Sequence, residues 1–155
     1  MARILFLHGL HGSPQGTKVQ LLCSAGHDVC APSLPKESIA QSLLIAETAF
    51  LEFDPKIVVG SSRGGALALS MSNAPITPMV LLAPAWVLYA PFPRLNDSTI
   101  LLHSRDDEVI PFHESERLLR SHGLPPENLR AVGSEHSLND QEVAEALLDA
   151  VSASD

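Results

Sequence analysis

Hydrophobic residues fall along this chain in two alternating patterns. Short, nearly unbroken apolar runs occur at Ile4–Leu7, Asp28–Ala31, Lys56–Val59, Met79–Leu82, Thr99–Leu102 and Leu129–Val132. Each is too short for a helix, and several are rich in β-branched residues, as buried strands are. Between and after them lie longer stretches with apolar residues at helical spacing. The predicted helices are Thr17–Ala25, ending at Gly26; a segment from Ser38, with Ile39, Leu43, Leu44, Ala46, Phe50 and Leu51 as a core-facing stripe; the small-residue segment Gly64–Met71; and segments near His113–Ser121 and Asn139–Val151. Continuous apolar strands alternating with helices predict a mostly parallel, six-stranded sheet covered on both faces. The expected fold is thus an α/β, doubly wound, three-layer sandwich.

Length and composition narrow this picture. At 155 residues the chain fits one domain, residues 1–155, without repeat or linker. Hydrophobic residues make up 45% of it and charged residues 18%, a globular balance; aromatics reach only 5%, so Ala, Leu and Val must fill most of the core. The net charge of −8 argues against nucleic acid, whose phosphates want clustered Lys and Arg, and offers no basic patch for an anionic membrane surface. No apolar run approaches the roughly 20 residues that span a bilayer. Met1-Ala2-Arg3 leads directly into the first strand, without the apolar stretch and cleavage site of a signal peptide. The expectation is a cytoplasmic protein whose two cysteines, Cys23 and Cys30, are buried thiols and not a disulfide.

The chemistry concentrates at the ends of three strands. Val58-Val59-Gly60-Ser61-Ser62-Arg63-Gly64-Gly65 runs from a strand through Gly-x-Ser-x-Gly into a helix, the pattern of a nucleophile elbow. Ser62 is centred between the glycines, whereas Ser61 is expected to pack beneath the turn. A serine needs a base and an orienting acid. The strand beginning at Thr99 is followed by Asp106-Asp107-Glu108, and the last strand by Glu135-His136. Catalytic groups collect at the C-terminal edge of such sheets, so Ser62, His136 and one of the three carboxylates can converge. The N–H groups of Arg63 and of Leu10, in the loop after the first strand, are the expected oxyanion-hole donors. Seven histidines show no metal-ligand spacing, and no cofactor is expected. His8 is read as shaping the oxyanion loop and His103 as structural. Trp86, Tyr89 and Phe92 have two readings: cover for a core edge, or a hydrophobic wall for substrate, with Trp86 as the wall's candidate.

Together, Phe6-Leu7-His8-Gly9-Leu10, Gly60-Ser61-Ser62-Arg63-Gly64-Gly65, Asp107-Glu108-Val109 and His136 resemble the α/β-hydrolase superfamily. More narrowly, Leu7-His8-Gly9-Leu10-His11-Gly12-Ser13-Pro14 with Gly-Ser-Ser-x-Gly-Gly is similar to the small YqiA-like serine esterases, over nearly the whole chain. The resemblance selects Asp107, because Asp107-Glu108-Val109-Ile110-Pro111 matches the run that follows the family's acid. It implies hydrolysis of a small carboxylic ester through an acyl-enzyme on Ser62. A thioesterase or peptidase using the same residues, and a non-catalytic binding protein on the same scaffold, are the competing expectations. Two features depart from the family. Pro84–Asp97 is too brief for a helical lid, and Arg63 stands where relatives carry an uncharged residue. If the Arg63 cation faces the pocket, it favours substrates carrying a carboxylate.

Overall fold

A computed structural model describes all residues, 1–155. The elements in chain order are β1 (Arg3–Leu7), α1 (Thr17–Ser24), β2 (Asp28–Cys30), α2 (Ile39–Phe53), β3 (Ile57–Ser61), α3 (Arg63–Ser70), β4 (Met79–Leu82), α4 (Trp86–Tyr89), β5 (Thr99–His103), α5 (Phe112–Ser121), a single 3₁₀ turn at Pro126–Asn128, β6 (Leu129–Ala131) and α6 (Gln141–Ser154). All six expected strands form, and every neighbouring pair is parallel, in the order β2-β1-β3-β4-β5-β6.

The two-residue period of the strands sorts the core into two layers. Ile4 and Phe6, Ile57 and Val59, Val80 and Leu82, and Leu102 face Val19 and Leu22 of α1 and Val143, Leu147, Ala150 and Val151 of α6. On the other face Leu5 and Leu7, Val58, Met79 and Leu81, and Leu101 meet Ala46 of α2, Leu67–Leu69 of α3, and Leu118 and Leu119 of α5. The central strands are therefore apolar at almost every position because both faces are covered, with Thr99 and His103 at the two ends of β5 as buried polar exceptions. Between β1 and β3 the chain goes out to the edge strand β2 and returns across β1. The loops after β1 and β3 consequently diverge at adjacent strand ends, leaving a crevice at the C-terminal edge.

Four local expectations are corrected. Strand β3 runs on past the Lys56–Val59 segment: Gly60 and Ser61 still pair with Leu81 and Leu82, and the turn is compressed into Ser62 alone. The stripe on α2 is only partly core. Ser42 and Ala46 are buried, but Ile39, Leu44 and Leu51 are exposed, since turns of 100° per residue carry Leu44 and Leu51 well away from Ala46. Cys23 is an exposed free thiol, lying off the Val19–Leu22 face of α1 that packs on the sheet. The Pro84–Asp97 stretch contains a one-turn helix, α4, that the pattern did not predict.

The layered core predicts a sharp contrast between two leucines. Leu147 is fully buried and Leu51 is 81% exposed. In urea denaturation, Leu147→Ala is expected to cost about 2–5 kcal/mol. Leu51→Ala should stay within about 0.5 kcal/mol of the parent protein. Equal losses would contradict the packing described.

Candidate active site

The turn between β3 and α3 is forced by close backbone approach. A Cβ on Gly60 would lie 2.6 Å from the Gly64 carbonyl oxygen, and one on Gly64 would overlap the Leu7 carbonyl. Glycine at both positions lets α3 leave directly over the ends of β1 and β3. Ser62 absorbs the reversal with φ 54° and ψ −112°, a conformation that costs a non-glycine residue about 1–3 kcal/mol. Its own backbone holds it there: Ser62 N–H donates to Leu82 O (2.9 Å), and Ser62 O accepts from Ala66 N–H (3.2 Å) and Ala85 N–H (2.9 Å).

From that turn Ser62 Oγ donates to His136 Nε2 at 2.8 Å, and His136 Nδ1–H donates to Asp107 Oδ2 at 2.7 Å. Serine, histidine and carboxylate thus form one continuous hydrogen-bonded chain across three strand ends. Asp106 is exposed in the same loop, and its N–H donates to Ser104 Oγ. Ser104 Oγ also donates to Gly133 O (3.0 Å), tying the Asp107 loop to the His136 loop. The latter loop is anchored by Leu138, which is buried at positive φ.

The Asp107 side chain is fully buried, yet it is well supplied with donors. Oδ1 accepts from Val109 N–H and Ile110 N–H, each at 2.7 Å, and Oδ2 accepts from His136 and, at 3.0 Å, from His103 Nε2–H. Burial pushes its carboxyl pKa upward, but the hydrogen bonds from His136, Ile110 and Val109 outweigh this and hold it below the ordinary carboxylate range. His103 is the participant that sequence reasoning assigned only a structural place. It is wholly buried at the end of β5, and its Nε2 faces two acceptors, Asp107 Oδ2 and Ile110 O (2.9 Å). The proton therefore sits on Nε2, and Nδ1 accepts from Ser115 Oγ–H (2.7 Å) on α5. Desolvation lowers the His103 pKa against the pull of Asp107, so the ring is neutral at pH 7. The available signal was its spacing, four residues before Asp107 at a strand's C-terminal end.

The loop after β1 completes the crevice. Leu34 N–H donates to His8 Nε2 (3.0 Å), which places the His8 proton on Nδ1, and Nδ1–H donates to Gly9 O (2.7 Å). Because the Gly9–Leu10 peptide is planar and trans, pinning the Gly9 carbonyl aims the Leu10 N–H the opposite way. That N–H has no acceptor within the chain. The N–H of Arg63, in the first turn of α3, is likewise without an intrahelical partner. Leu10, Ser62, Arg63 and His136 all line one open cavity of about 460 Å³, with Leu88 and Val109 as its exposed apolar rim.

Two expected site features are corrected. Trp86 does not line this cavity: its indole Nε1–H donates to Glu114 O (3.1 Å), and Arg117 stacks over its ring at 4.6 Å. The one-turn helix α4 directs Trp86 toward α5 and presents Leu88 and Tyr89 to the cavity instead. The Arg63 guanidinium is not a free cation at the mouth; it is buried, donating to Pro35 O (3.1 Å) and to Ser42 Oγ (3.4 Å). No group of three or more His, Cys, Asp or Glu side chains is arranged to hold a metal ion, and no helix is long and apolar enough to cross a membrane.

The lowered pKa of His103 has a stability consequence of definite sign. The unfolded chain takes up a proton near pH 6.5, which the folded state refuses until lower pH. His103 therefore gives its full contribution above pH 6.5 and loses it as the pH falls toward the folded pKa. Urea titrations at successive pH values below neutrality should show a shallower decline for His103→Gln than for the parent protein. Identical slopes would mean that His103 is not held neutral.

Comparison with known proteins bears on the fold. No protein-family model matches the sequence, and no curated protein matches it. Solved structures do. An α/β-superfamily protein of Xanthomonas campestris pv. campestris superposes with a TM-score of 0.79 at 18% identity, covering 98% of each chain. MGS-MChE2, an α/β-hydrolase enzyme from a metagenome of lagoon sediments at Mar Chica, Morocco, gives 0.72 at 18% identity, over 97% of this chain and 90% of its own. The esterase domain of a Rhodothermus marinus protein gives 0.67 at 16% identity, over 98% and 84%. With its parallel six-stranded sheet, the strained Ser62 turn and near-complete superposition on these structures, the chain has the α/β-hydrolase fold.

Proposed function

We propose that this protein is a serine hydrolase that cleaves a small carboxylic ester through an acyl-enzyme on Ser62. The observation that carries the reading is the unbroken hydrogen-bonded chain Ser62–His136–Asp107, opening on a cavity bounded by the Leu10 loop. The solved structures of an α/β-hydrolase enzyme and an esterase domain that share the fold support it.

The steps follow from the assigned protons. His136 carries its hydrogen on Nδ1, toward Asp107, so Nε2 presents a lone pair to Ser62. As Ser62 Oγ bonds to the ester carbonyl carbon, its proton passes to Nε2, and the ionised Asp107 stabilises the imidazolium. The carbonyl oxygen gains negative charge and is received by the N–H groups of Leu10 and Arg63. Collapse of this intermediate breaks the bond to the alcohol oxygen, which takes the proton from His136. Water then repeats the sequence on the acyl-serine and releases the acid. His8 acts indirectly, by orienting the Leu10 peptide. With only the one-turn α4 beside the cavity, substrate enters an open site, and a small, water-soluble ester fits it better than a lipid aggregate.

The test is turnover of 4-nitrophenyl acetate and butyrate, with fluorophosphonate labelling read by mass spectrometry. The parent protein should hydrolyse both esters and carry the label on Ser62. Ser62→Ala and His136→Ala should each lose on the order of 10⁴-fold in kcat. Unchanged turnover in either variant, or label on another residue, would sink the assignment. An unlabelled, inactive parent protein would favour a binding role on this scaffold.

A further inference from the structure

The cavity beside Ser62 carries a charge pattern opposite to that of the whole chain. Asp and Glu outnumber Lys and Arg by 18 to 10. Yet no Asp or Glu lines the cavity, whereas Lys18 and Arg63 both do, together with His8, His11 and His136. Asp107, behind His136, is fully buried and already engaged by four donors.

Neither of the two cations has a counter-ion. Lys18 Nζ donates to Ser137 O (2.9 Å) and Asn139 Oδ1 (3.3 Å), both neutral, and an ammonium has a third N–H to give. Glu135 is near enough to be felt by Lys18, but no carboxylate lies within 4.0 Å of it. Arg63 is only 2% exposed, and its acceptors, Pro35 O and Ser42 Oγ, are also neutral. Its guanidinium lies 5.7 Å from the ring of Tyr89, another wall of the cavity. Buried cations are ordinarily paired, because desolvating a charge without compensation is costly. Here the half-buried Lys18 and, packed behind Tyr89, the buried Arg63 both lack a carboxylate partner, and an anionic ligand in the cavity would supply one to Lys18.

Resting on the hydrolase reading above, we infer that the substrate carries an ionised carboxylate in addition to its ester, contacted by Lys18 and attracted by the charge of Arg63. Lys18 is the contacting group because its ammonium retains a donor and only part of its surface is covered. Arg63 is held between Pro35 and Ser42 and acts through its field. Through Ser137 O, Lys18 is also fixed beside His136, so the anion is held on the side of the cavity where the base works. In a chain of net charge −8, such a local reversal selects which esters reside at Ser62.

The experiment compares esters that differ only in charge. One pair is 4-nitrophenyl hydrogen glutarate and 4-nitrophenyl methyl glutarate, with the charge on the acyl part. The other is 4-carboxyphenyl butyrate and 4-(methoxycarbonyl)phenyl butyrate, with the charge on the alcohol part. In at least one pair the anionic ester should exceed its neutral partner in kcat/KM by about tenfold or more, as a charge-assisted hydrogen bond allows. That excess should shrink as salt is raised. Lys18→Met should bring the anionic-to-neutral ratio close to one, and Lys18→Arg should restore most of it. Because the ratio is taken within one variant, general damage to the His136 loop cancels. A ratio at or below one in both pairs, or a ratio unchanged in Lys18→Met, would overturn the inference while leaving the hydrolase intact. Turnover of none of the four esters would instead remove the hydrolase reading, and this inference with it.

Discussion

The carboxylate of Asp107 is a negative charge buried at the C-terminal edge of the sheet, and the arrangement around it follows from keeping it ionised there. An unpaired carboxylate in that position would take up a proton. Four N–H groups prevent this: the Val109 and Ile110 amides on one oxygen, the His136 and His103 rings on the other. The consequences spread outward. The His136 proton is drawn to Nδ1, leaving Nε2 open to Ser62, and the His103 proton is drawn to Nε2, so that Nδ1 is free to bind Ser115 of α5. One anion thereby sets two tautomers and joins the ends of β5 and β6 to the helix packed beneath them.

A second constraint is steric and acts on the opposite wall. The β1 and β3 ends can form one crevice only if α3 starts almost on top of the Leu7 carbonyl, which requires Gly64 to have no side chain. Once that approach is made, the backbone of Ser62 is committed to positive φ and its hydroxyl projects above the sheet. His8 then fixes the remaining freedom of the facing loop through Leu34 N–H and Gly9 O. The two walls are rigid for different reasons, one electrostatic and one a matter of contact. Both meet at Ser62, and on the proposed reading this matters because preorganised donors and bases are worth most when they need not move.

The surroundings of this centre are less committed. The rim is open and apolar at Leu88 and Val109, and α4 covers the helix α5 through Trp86 while leaving the cavity uncovered. The cations bordering the cavity stand in contrast to an otherwise acidic chain. On the proposed reading, field and shape at the open cavity are what would discriminate among substrates.

Much of this was legible in sequence order alone, because the features concerned are local. Short apolar runs mark all six strands, since a strand covered on both faces carries few polar residues. The glycines around Ser62 mark the turn, since a side chain at either position collides with backbone from β1 or from α3. The choice of Asp107 among three adjacent carboxylates came from resemblance, and in space it is Asp107 that reaches His136, for which loop direction is decisive. Tertiary structure alone decided matters of orientation and long-range contact: that Trp86 turns toward α5, that Leu44 and Leu51 face solvent on an amphipathic-looking helix, that His103 shares the carboxylate with His136, and that Lys18 and Arg63 border one cavity. Those outcomes depend on which surfaces distant segments bring together, and no spacing along the chain records the charge that a folded pocket excludes.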